Sequence, residues 1–343
     1  MSLTEAANAA TPRLTKPIGV FHEHPDWFRP LFAELDRRGV TYEKINARTH
    51  VYDPSEKTSP YSLVFNRMSP SAYLRDLAGG IFYTHGYLAH MQRLGVRIIN
   101  GPEAYAMETN KARQLTLLES LGLAYPKARV IHNAQQAPVA AEGLRFPVVV
   151  KANIGGSGAG IVRYDSLTDL KRAAQIGEID LGLDKTALVQ EYIQPAGGFI
   201  TRVETLGGKF LYAIHVHTTG ESFNLCPADI CQTTGGKELT RSACPLDAPK
   251  SGLTVEGYTP PPSVIDAVER IMQTTQIDVG GIEYMADGRD GANGEPLFYD
   301  INALSNFVAD APNVVGFDPF ARLVDFLVAE AQKAEETQAK GTA

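Results

Sequence analysis

The stretch Phe146-Pro-Val-Val-Val-Lys151-Ala-Asn-Ile-Gly-Gly-Ser-Gly-Ala-Gly-Ile161 is a short β-branched run that ends in a lysine and opens into a glycine-rich loop. Glycines let the backbone adopt positive φ and come close to a ligand. Successive N–H groups in such a loop can form a concave nest for phosphate, and Lys151 adds a point charge beside it. The stretch predicts a flexible lid over a nucleotide, with a solvated surface hairpin as the alternative.

The spacing of these residues differs from two common phosphate-binding motifs. The lysine precedes the glycines, whereas in the P-loop GxxxxGK[ST] it follows them. The segment from Gly155 to Gly160 does not contain G-x-G-x-x-G in register, so it does not open a dinucleotide-binding unit.

Composition indicates an ordinary globular protein. The chain has 343 residues, 44% apolar and 21% charged, which predicts two or three domains of roughly 100–200 residues each. Its net charge of −7 and the lack of a long basic cluster disfavour nucleic-acid and membrane-surface binding. Three cysteines and no signal-peptide pattern or apolar run of membrane-spanning length favour a cytoplasmic location.

The first hundred residues alternate between strand and helix patterns, which predicts a small, mostly parallel sheet. Ligands gather at the carboxyl ends of such strands, so His22, Glu23 and Arg67 are candidate site residues or ordinary loop residues. The predicted elements are a strand at 18–21, a helix capped by Asp26 that ends at Gly39, a strand at 61–65, a helix at 82–94 and a strand at 96–99.

Three further elements carry polar candidates. Thr109 is expected to cap a helix whose first turn holds Lys111. A strand is expected at 187–193. Residues 199–217 form a hairpin around a glycine pair. A two-residue turn there would set Arg202 opposite Ala213, on the same sheet face as His215.

Two predicted strands near the C-terminus carry oxygen ligands. Asp300 and Asn302 are two residues apart on one strand, so both face the same side. Glu283 lies on a run that could pair with this strand as a hairpin. Two carboxylates and an amide on one face suit Mg²⁺, which prefers hard oxygen ligands. The alternative is a set of solvated acids at strand ends.

The order of these features resembles the ATP-grasp superfamily, especially its branch of glutathione synthetases and RimK-type glutamate ligases, over roughly residues 18–330. The resemblance implies an α/β fold, with two α+β lobes that clamp ATP behind an N-terminal parallel-sheet domain. It implies ATP and Mg²⁺ as cofactors, with two Mg²⁺ ions and Mn²⁺ as an alternative. The implied metal ligands are Glu283, Asp300 and Asn302, and the implied catalytic arginine is Arg202.

The resemblance also implies a nucleotide site and a domain division. The implied nucleotide residues are Lys111, Lys151, Gly155, Gly156, Ser157, Gly158, Gln190, Glu191, Tyr192 and Ile193. The candidate substrate residues are Arg67, His215 and Asn224. The expected divisions are a disordered N-terminus at 1–14, an α/β domain at 15–108, a lobe with the lid at 109–195, a C-terminal lobe at 196–332 and a disordered tail at 333–343.

This chain departs from the pattern of the family in two places. The acidic ligands come in the order Glu283 then Asp300, whereas the family more often has Asp then Glu. The second hairpin strand contains His215-Val-His217 where an arginine is common. Neutralisation of substrate charge would then fall to other cations, for which the candidates are Lys209, Arg241 and Arg67.

Two other kinds of site can be considered from the residue types and their spacing. His215, His217, Cys226 and Cys231 could together bind zinc, although their spacing matches no familiar structural zinc pattern. Cys226 could be a nucleophile, but this would require an adjacent base and a lowered pKa. A small buried residue is the simpler role for this cysteine.

The function implied by the resemblance is that of an ATP-dependent carboxylate–amine ligase, which forms an amide or peptide bond through an acyl phosphate. The alternatives are an ATP-grasp small-molecule kinase and a non-catalytic nucleotide-binding regulatory protein. The expected partners are a small carboxylate and an amine, including amino acids or a peptide, without nucleic acid or membrane. A homodimer is an expectation at the level of the family.

Overall fold

The computed structural model describes residues 14–24, 26–156, 160–217, 254–289 and 294–341. Within these ranges the chain forms three β-sheets with helices packed around them. No helix among the described residues is long and apolar enough to cross a membrane. The following predicted residues lie outside the described ranges: the N-terminus up to residue 13, Ser157, Gly158, Asn224, Cys226, Cys231, Arg241 and Cys244.

The first sheet is parallel, as predicted, with strand order β2-β1-β3-β4. Its strands are β1 (Ile18–His22), β2 (Tyr42–Asn46), β3 (Leu63–Arg67) and β4 (Arg97–Ile99). The helices between them are α1 (Arg29–Arg37), α2 (Ala78–Arg93) and a 3₁₀ helix (Pro70–Arg75), and α3 (Pro102–Glu108) follows β4. The sequence analysis missed β2, because Ile45 is its only buried residue and no apolar alternation is visible.

The second sheet is antiparallel, with strand order β5-β8-β6-β7. Its strands are β5 (Ala128–Ile131), β6 (Val148–Ala152), β7 (Ile161–Tyr164) and β8 (Ala187–Glu191). The helices α5 (Ala137–Ala140) and α6 (Leu167–Ile176) cover one face and share an apolar core with it. The β-branched run that ends in Lys151 is therefore a buried strand, as predicted.

The third sheet has five antiparallel strands in the order β11-β10-β9-β12-β13. They are β9 (Phe199–Leu206), β10 (Lys209–His217), β11 (Val255–Tyr258), β12 (Val279–Met285) and β13 (Leu297–Asn302). The remaining helices are α4 (Lys111–Ser120), α7 (Pro262–Thr275), α8 (Ala311–Val315) and α9 (Pro319–Gly341). Two further 3₁₀ turns cover Ala134–Gln136 and Ala196–Gly198.

The predicted hairpin is present, but its register differs from our expectation. A bulge between Phe210 and Tyr212 shifts the pairing by one residue, so Arg202 lies opposite Ile214 and not Ala213. His215 consequently lies opposite Thr201, on the other sheet face from Arg202. A bulge leaves one residue unpaired, and a two-residue turn alone does not predict its position.

Two predicted helix caps were also wrong. The side chain of Asn110, not that of Thr109, accepts the hydrogen bond from the Arg113 N–H at the start of α4. The helix α1 begins after Phe28 without a side-chain cap. Both errors are shifts of one or two residues, which is the usual uncertainty at a helix end.

The C-terminal tail that we expected to be disordered is helical through Gly341. Its composition of Ala, Glu, Gln and Lys has high helix propensity. Glu335 also accepts hydrogen bonds from the backbone N–H and the hydroxyl of Thr15, at 2.9 and 2.7 Å, and from the Lys16 N–H at 3.0 Å. The helix thereby ties the end of the described chain to its beginning.

The apolar cores do not follow the three predicted sequence divisions. One core contains side chains from the first sheet and α1 together with the third sheet and α9. The helix α4, which we assigned to the lobe with the lid, packs through Leu117 and Leu118 into the core of the third sheet. Within the described ranges, the second sheet and its helices have a core of their own, and the first sheet has a second core on its other side that includes Ile154 from the start of the glycine-rich loop.

Candidate functional site

Three charged side chains lie in one row across the third sheet. Arg202 on β9 is opposite Glu283 on β12, and Glu283 is opposite Asp300 on β13. Residues opposite each other in antiparallel strands project to the same face. Asn302, two residues after Asp300, shares that face and lies opposite Gly281. The structure therefore brings the predicted metal ligands and the predicted catalytic arginine together.

The first turn of α4 brings a lysine to this row. The Lys111 ammonium donates a short hydrogen bond to the Asp300 carboxylate. Burial disfavours the charged form of Lys111, yet the Asp300 carboxylate raises the pKa of Lys111 above its usual value. Burial likewise opposes ionisation of Asp300, but the Lys111 ammonium lowers the pKa of this carboxyl group. The two groups form a partly buried ion pair.

Arg202 is held between two carboxylates beneath the surface. Its Nε donates to Glu204 at 2.6 Å and its Nη1 donates to Glu283 at 2.7 Å. The Tyr299 hydroxyl donates to the other Glu283 oxygen at 2.8 Å. Burial raises the pKa of Glu283 to about 7, against the opposing charge of Arg202. Arg202 is only 4% exposed, so its contacts with Glu204 and Glu283 are buried ion pairs.

Gly281 provides the space in which the Arg202 side chain lies. A Cβ atom at position 281 would be 2.7 Å from Nη2 of Arg202 and 3.0 Å from its Cζ. Any side chain at this position would therefore collide with the guanidinium. The sequence analysis missed the role of Gly281 because the contact joins two strands that are distant in sequence.

Lys151 faces the cleft between the second and third sheets. It is 7% exposed, and it shares its face of β6 and β8 with Val149, Leu188 and Gln190. Burial and the nearby Lys111 lower the pKa of Lys151 to about 7, although Asp300 and Glu283 act in the opposite direction. Among the described residues no hydrogen bond or ion pair is seen for the Lys151 ammonium, and burying such a charge without a partner is costly, so this position favours a bound anion.

Gln190 and Glu191 lie on opposite faces of β8. The Gln190 side chain is on the Lys151 face, and its amide oxygen is buried without a hydrogen-bond partner within the described ranges. The Glu191 carboxylate accepts hydrogen bonds from the Arg145 N–H at 3.0 Å and from Nη2 of Arg145 at 3.3 Å. The structure therefore brings Gln190 to the cleft and does not bring the Glu191 carboxylate to Lys151.

The residues at the end of β8 also use their backbone groups. The N–H groups of Glu191 and Tyr192 donate to the carbonyls of Lys127 and Pro147, each at 2.9 Å. Ile193 is buried in the core shared by the first and third sheets. The Arg163 guanidinium lies 5.1 Å from the centre of the Tyr192 ring. This segment connects the second sheet to the third at the edge of the cleft.

The beginning of the glycine-rich loop touches the first sheet's domain. A Cβ atom at Gly156 would lie 2.8 Å from Cβ of Ser71, which is on the 3₁₀ helix after β3. Ile154 packs into the core around β3 and α2. Gly155 and Gly156 are thus close to both Lys151 and the carboxyl ends of the parallel strands.

The candidate substrate residues have different surroundings. Nη2 of Arg67 donates to the Ser305 carbonyl and, at 2.8 Å, to the Asn306 side chain, so Arg67 adjoins the segment that follows β13. The Nδ1 atom of His215 is 3.0 Å from the Thr201 hydroxyl, and its ring stacks on Tyr258 with the centroids 3.9 Å apart. Arg67 therefore contacts the segment that follows β13, whereas the hairpin bulge places His215 on the opposite sheet face from Arg202.

Three further charged groups bear on the site, and two of them were not predicted from the sequence. Glu204 faces the same side as Arg202, as the spacing of two residues indicates, and it pairs with Arg202 beneath the surface. Glu108 accepts a hydrogen bond from the Ala303 N–H, and burial raises the pKa of Glu108 to about 7. Arg75 forms a buried pair with Glu23 at the carboxyl end of β1. The contacts of Glu108 and Arg75 have no sequence signal, because their partners are distant in the chain.

The chemistry of the donor set fits Mg²⁺ better than zinc. Within the described ranges no three His, Cys, Asp or Glu side chains are arranged to hold a metal ion. Glu283, Asp300 and Asn302 instead offer two carboxylates and an amide on one face. The Asn302 amide nitrogen is buried and has no partner in the described part of the chain. Hard oxygens of this kind suit Mg²⁺ that is shared with phosphates.

Comparison with known proteins identifies the class to which this architecture belongs. The structure resembles a RimK-domain ATP-grasp protein from Sphaerobacter thermophilus, with a TM-score of 0.61 and 15% identity over 90% of this chain and 99% of the other. It also resembles the ATP-grasp ligase PsnB in a complex with minimal precursor, Mg and ADP, with a TM-score of 0.60 and 17% identity over 93% and 99% of the two chains. The protein thus has the ATP-grasp fold.

Within this fold, residues 108–225 match the model of the RimK-like ATP-grasp domain. A probable alpha-L-glutamate ligase from Marinomonas sp. is 33% identical over 134 residues, which cover 39% of this chain and 44% of the relative. One from Azotobacter vinelandii is 29% identical over 220 residues, or 60% and 72% of the two chains. The match thus spans less than half the length of the first relative. The predicted resemblance to ATP-grasp and RimK-type proteins is confirmed.

Proposed function

We propose that this protein is an ATP-dependent carboxylate–amine ligase, which forms an amide bond and releases ADP and phosphate. The observation that carries this proposal is the convergence of Lys111, Lys151 and Arg202 on the row of Glu283, Asp300 and Asn302. Such a cluster of buried cations and hard oxygen ligands suits a nucleotide with bound Mg²⁺. The similarity to ATP-grasp ligases supports the choice of a ligase.

In this proposal different residues bind the metal ion, the phosphates and the nucleotide base. Glu283, Asp300 and Asn302 would hold Mg²⁺, which supplies charge neutralisation for the phosphates. Lys151 would contact the phosphates and gain an anionic partner that the described part of the chain does not provide. Lys111 would move from Asp300 toward the phosphates once Mg²⁺ binds the Asp300 carboxylate. Gln190 and the end of β8 would line the nucleotide base.

The proposed reaction has two steps. A substrate carboxylate oxygen attacks the γ-phosphorus, the bond to the β–γ bridging oxygen breaks, and ADP leaves. An amine nitrogen then attacks the acyl carbon and loses a proton. The bond between this carbon and the bridging oxygen breaks, and phosphate leaves with that oxygen. Arg202 would stabilise the negative charge that develops in either step, because its guanidinium is planar and always charged. Arg67 would bind the substrate carboxylate, since it contacts the segment that follows β13.

Several finer points are part of the same proposal. The substrates would be a small carboxylate and an amine, including amino acids or a peptide. Two Mg²⁺ ions would act, with Mn²⁺ as a substitute metal, in a cytoplasmic enzyme that forms a homodimer. Residues 15–108, 109–195 and 196–332 would act as three functional parts despite their shared cores, with the lid in the second part.

The decisive experiment measures ADP release with a panel of acid–amine pairs, followed by mass spectrometry of the active mixtures. A ligase requires both substrates and yields an amide product. ADP release with a phosphorylated hydroxyl product and no need for amine would instead indicate a kinase. Binding of ATP without turnover across the panel would favour a regulatory protein.

A further inference from the structure

The metal-binding residues lie on an edge strand. Among the described residues, β13 is the last strand of the third sheet and pairs on one side only, with β12. On an antiparallel edge strand every second residue turns its N–H and C=O groups outward. Because such groups are costly to bury unpaired, some partner has to satisfy them next to Asp300 and Asn302.

Gln114 on α4 takes the place of a neighbouring strand. Its Oε1 accepts a hydrogen bond from the Ile301 N–H at 3.2 Å, and its Nε2 donates to the Ile301 carbonyl at 2.9 Å. Nε2 also donates to the Met107 carbonyl at 3.0 Å, and the side chain is 3% exposed. One side-chain amide therefore satisfies both outward groups of the residue between Asp300 and Asn302.

The next outward-facing residue, Ala303, is held in the same way by two side chains. Glu108 accepts the hydrogen bond from its N–H, and the Nδ2 atom of Asn100 donates to its carbonyl. Asn100 also bonds to both backbone groups of Val279, at 2.7 and 3.1 Å, so it connects β13 to the start of β12. Gln114, Glu108 and Asn100 together cover the outer edge on both sides of Asn302.

We propose that Gln114 is a positioning residue for the metal site, because it fixes the backbone between Asp300 and Asn302 from the outer edge of β13. Lys111 and Gln114 are three residues apart on α4 and so face the same side. One turn of α4 thus positions both Lys111, which pairs with Asp300, and Gln114, which holds the backbone between Asp300 and Asn302. The link to metal binding rests on the function proposed above, whereas the backbone contacts do not.

The test compares Gln114→Met, which retains length and burial but loses the hydrogen bonds, with Thr116→Ala on the solvent side of α4 as the control. Calorimetry measures the affinity for ATP without metal and then the Mg²⁺ concentration needed for tight nucleotide binding. We expect Gln114→Met to leave the metal-free affinity within about twofold and to raise the Mg²⁺ requirement by about tenfold or more, as loss of an outer-shell contact does. An unchanged Mg²⁺ requirement in a folded variant would overturn the proposal.

Amide hydrogen exchange provides a readout that needs neither nucleotide nor turnover. In the unmodified protein the Ile301 and Ala303 amides should exchange slowly despite their place on an edge strand. In Gln114→Met the Ile301 amide should lose protection while Thr116→Ala leaves it unchanged. Fast exchange of Ile301 in the unmodified protein would sink the inference even if the variant fails to fold. A protected Ile301 in a protein that does not bind ATP with Mg²⁺ would instead count against the proposed function alone.

Discussion

Lys151 illustrates how burial prepares a single residue for a ligand. Its pKa near 7 reflects removal from water and the neighbouring Lys111, so the free protein holds it only partly charged at neutral pH. A bound phosphate would stabilise the ammonium and raise this pKa. Nucleotide binding should therefore be coupled to the protonation of Lys151.

We predict that Lys151→Ala weakens ATP binding by about 1–3 kcal/mol, the range for a hydrogen bond to a charged group. The unmodified protein should take up protons on binding at about pH 8, because the free lysine is mostly neutral above its pKa. This uptake should decline toward about pH 6, where the lysine is already charged. Calorimetry in buffers of different ionisation enthalpy measures both effects. The exposed Lys171→Ala serves as the control, and equal affinities of the two variants would remove Lys151 from the site.

Arg202 should act on chemistry more than on nucleotide binding. We predict that Arg202→Lys keeps ATP affinity within a few-fold but lowers turnover by roughly 10²-fold or more, as the loss of one oxyanion donor does. A lysine cannot reproduce the two hydrogen bonds that the guanidinium makes to Glu204 and Glu283. Binding and single-turnover rate are measured on the same variant, and near-normal turnover would contradict the assignment.

Gly281 offers an independent test of the same arginine. In Gly281→Ala the added methyl group would meet the guanidinium, so Arg202 has to move although its chemistry is unchanged. We predict a fall in turnover of roughly tenfold or more with little change in ATP affinity. Gly79→Ala is the matched control, because a Cβ atom there meets nothing within 4 Å. The same turnover in both variants would show that the placement of Arg202 does not limit the reaction.

The sequence and the family resemblance indicated the residues proposed for the site but few of their partners. Lys111, Lys151, Arg202, Glu283, Asp300 and Asn302 each lie on an element that the sequence indicates, and their roles stay predictions. Glu108 and Gly281 were not predictable, since their roles depend on contacts with Ala303 and Arg202 across long sequence separations. Local sequence patterns indicate on which helix or strand a residue lies, whereas its contacts depend on how the elements pack in the folded protein.

At the scale of elements, β13 carries two of the three predicted metal ligands on one strand face. We predict that Asp300→Asn and Asn302→Ala each abolish Mg²⁺-dependent turnover without unfolding the protein, because a lost hard oxygen ligand compromises the metal site. Rates are measured at limiting Mg²⁺, with circular dichroism as the check on folding. Wild-type rates in both variants would show that these residues are not ligands.

The hairpin shows where prediction from sequence fails for an element. The strands and the Gly207-Gly208 turn were correctly predicted, because alternating β-rich residues flank a strong turn signal. The bulge next to Phe210 was not visible, and this single extra residue reversed the face on which His215 lies. A prediction of which sheet face a residue occupies is therefore only as reliable as the predicted strand register.

For the whole molecule, the main feature is the core shared by the first sheet, the third sheet and α9. Leu327 on α9 is fully buried there with Leu31 and Leu35 of α1. We predict that Leu327→Ala lowers the free energy of unfolding by about 2–5 kcal/mol, as the loss of a buried leucine does. The exposed Lys340→Ala should leave stability unchanged.

The manner of unfolding distinguishes a shared core from separate ones. The single tryptophan, Trp27, lies in the shared core and reports on the region around α1 by fluorescence. Circular dichroism reports on all of the helices and strands. In Leu327→Ala, the unfolding midpoint measured by Trp27 fluorescence should fall together with the midpoint measured by circular dichroism. A fluorescence midpoint that stays in place would mean that the first sheet is stable without α9.

The contact between α1 and α9 has a consequence for the order of events during synthesis. Arg38 at the end of α1 pairs with Asp325 of α9, 287 residues further along the chain. At a synthesis rate of about 5–20 residues per second, α9 emerges roughly 15–60 s after its partner. For that interval the apolar face of α1 has no cover from its final neighbour. During that interval the side of α1 that later contacts α9 is exposed to other proteins, so the nascent N-terminal region is a candidate for chaperone binding.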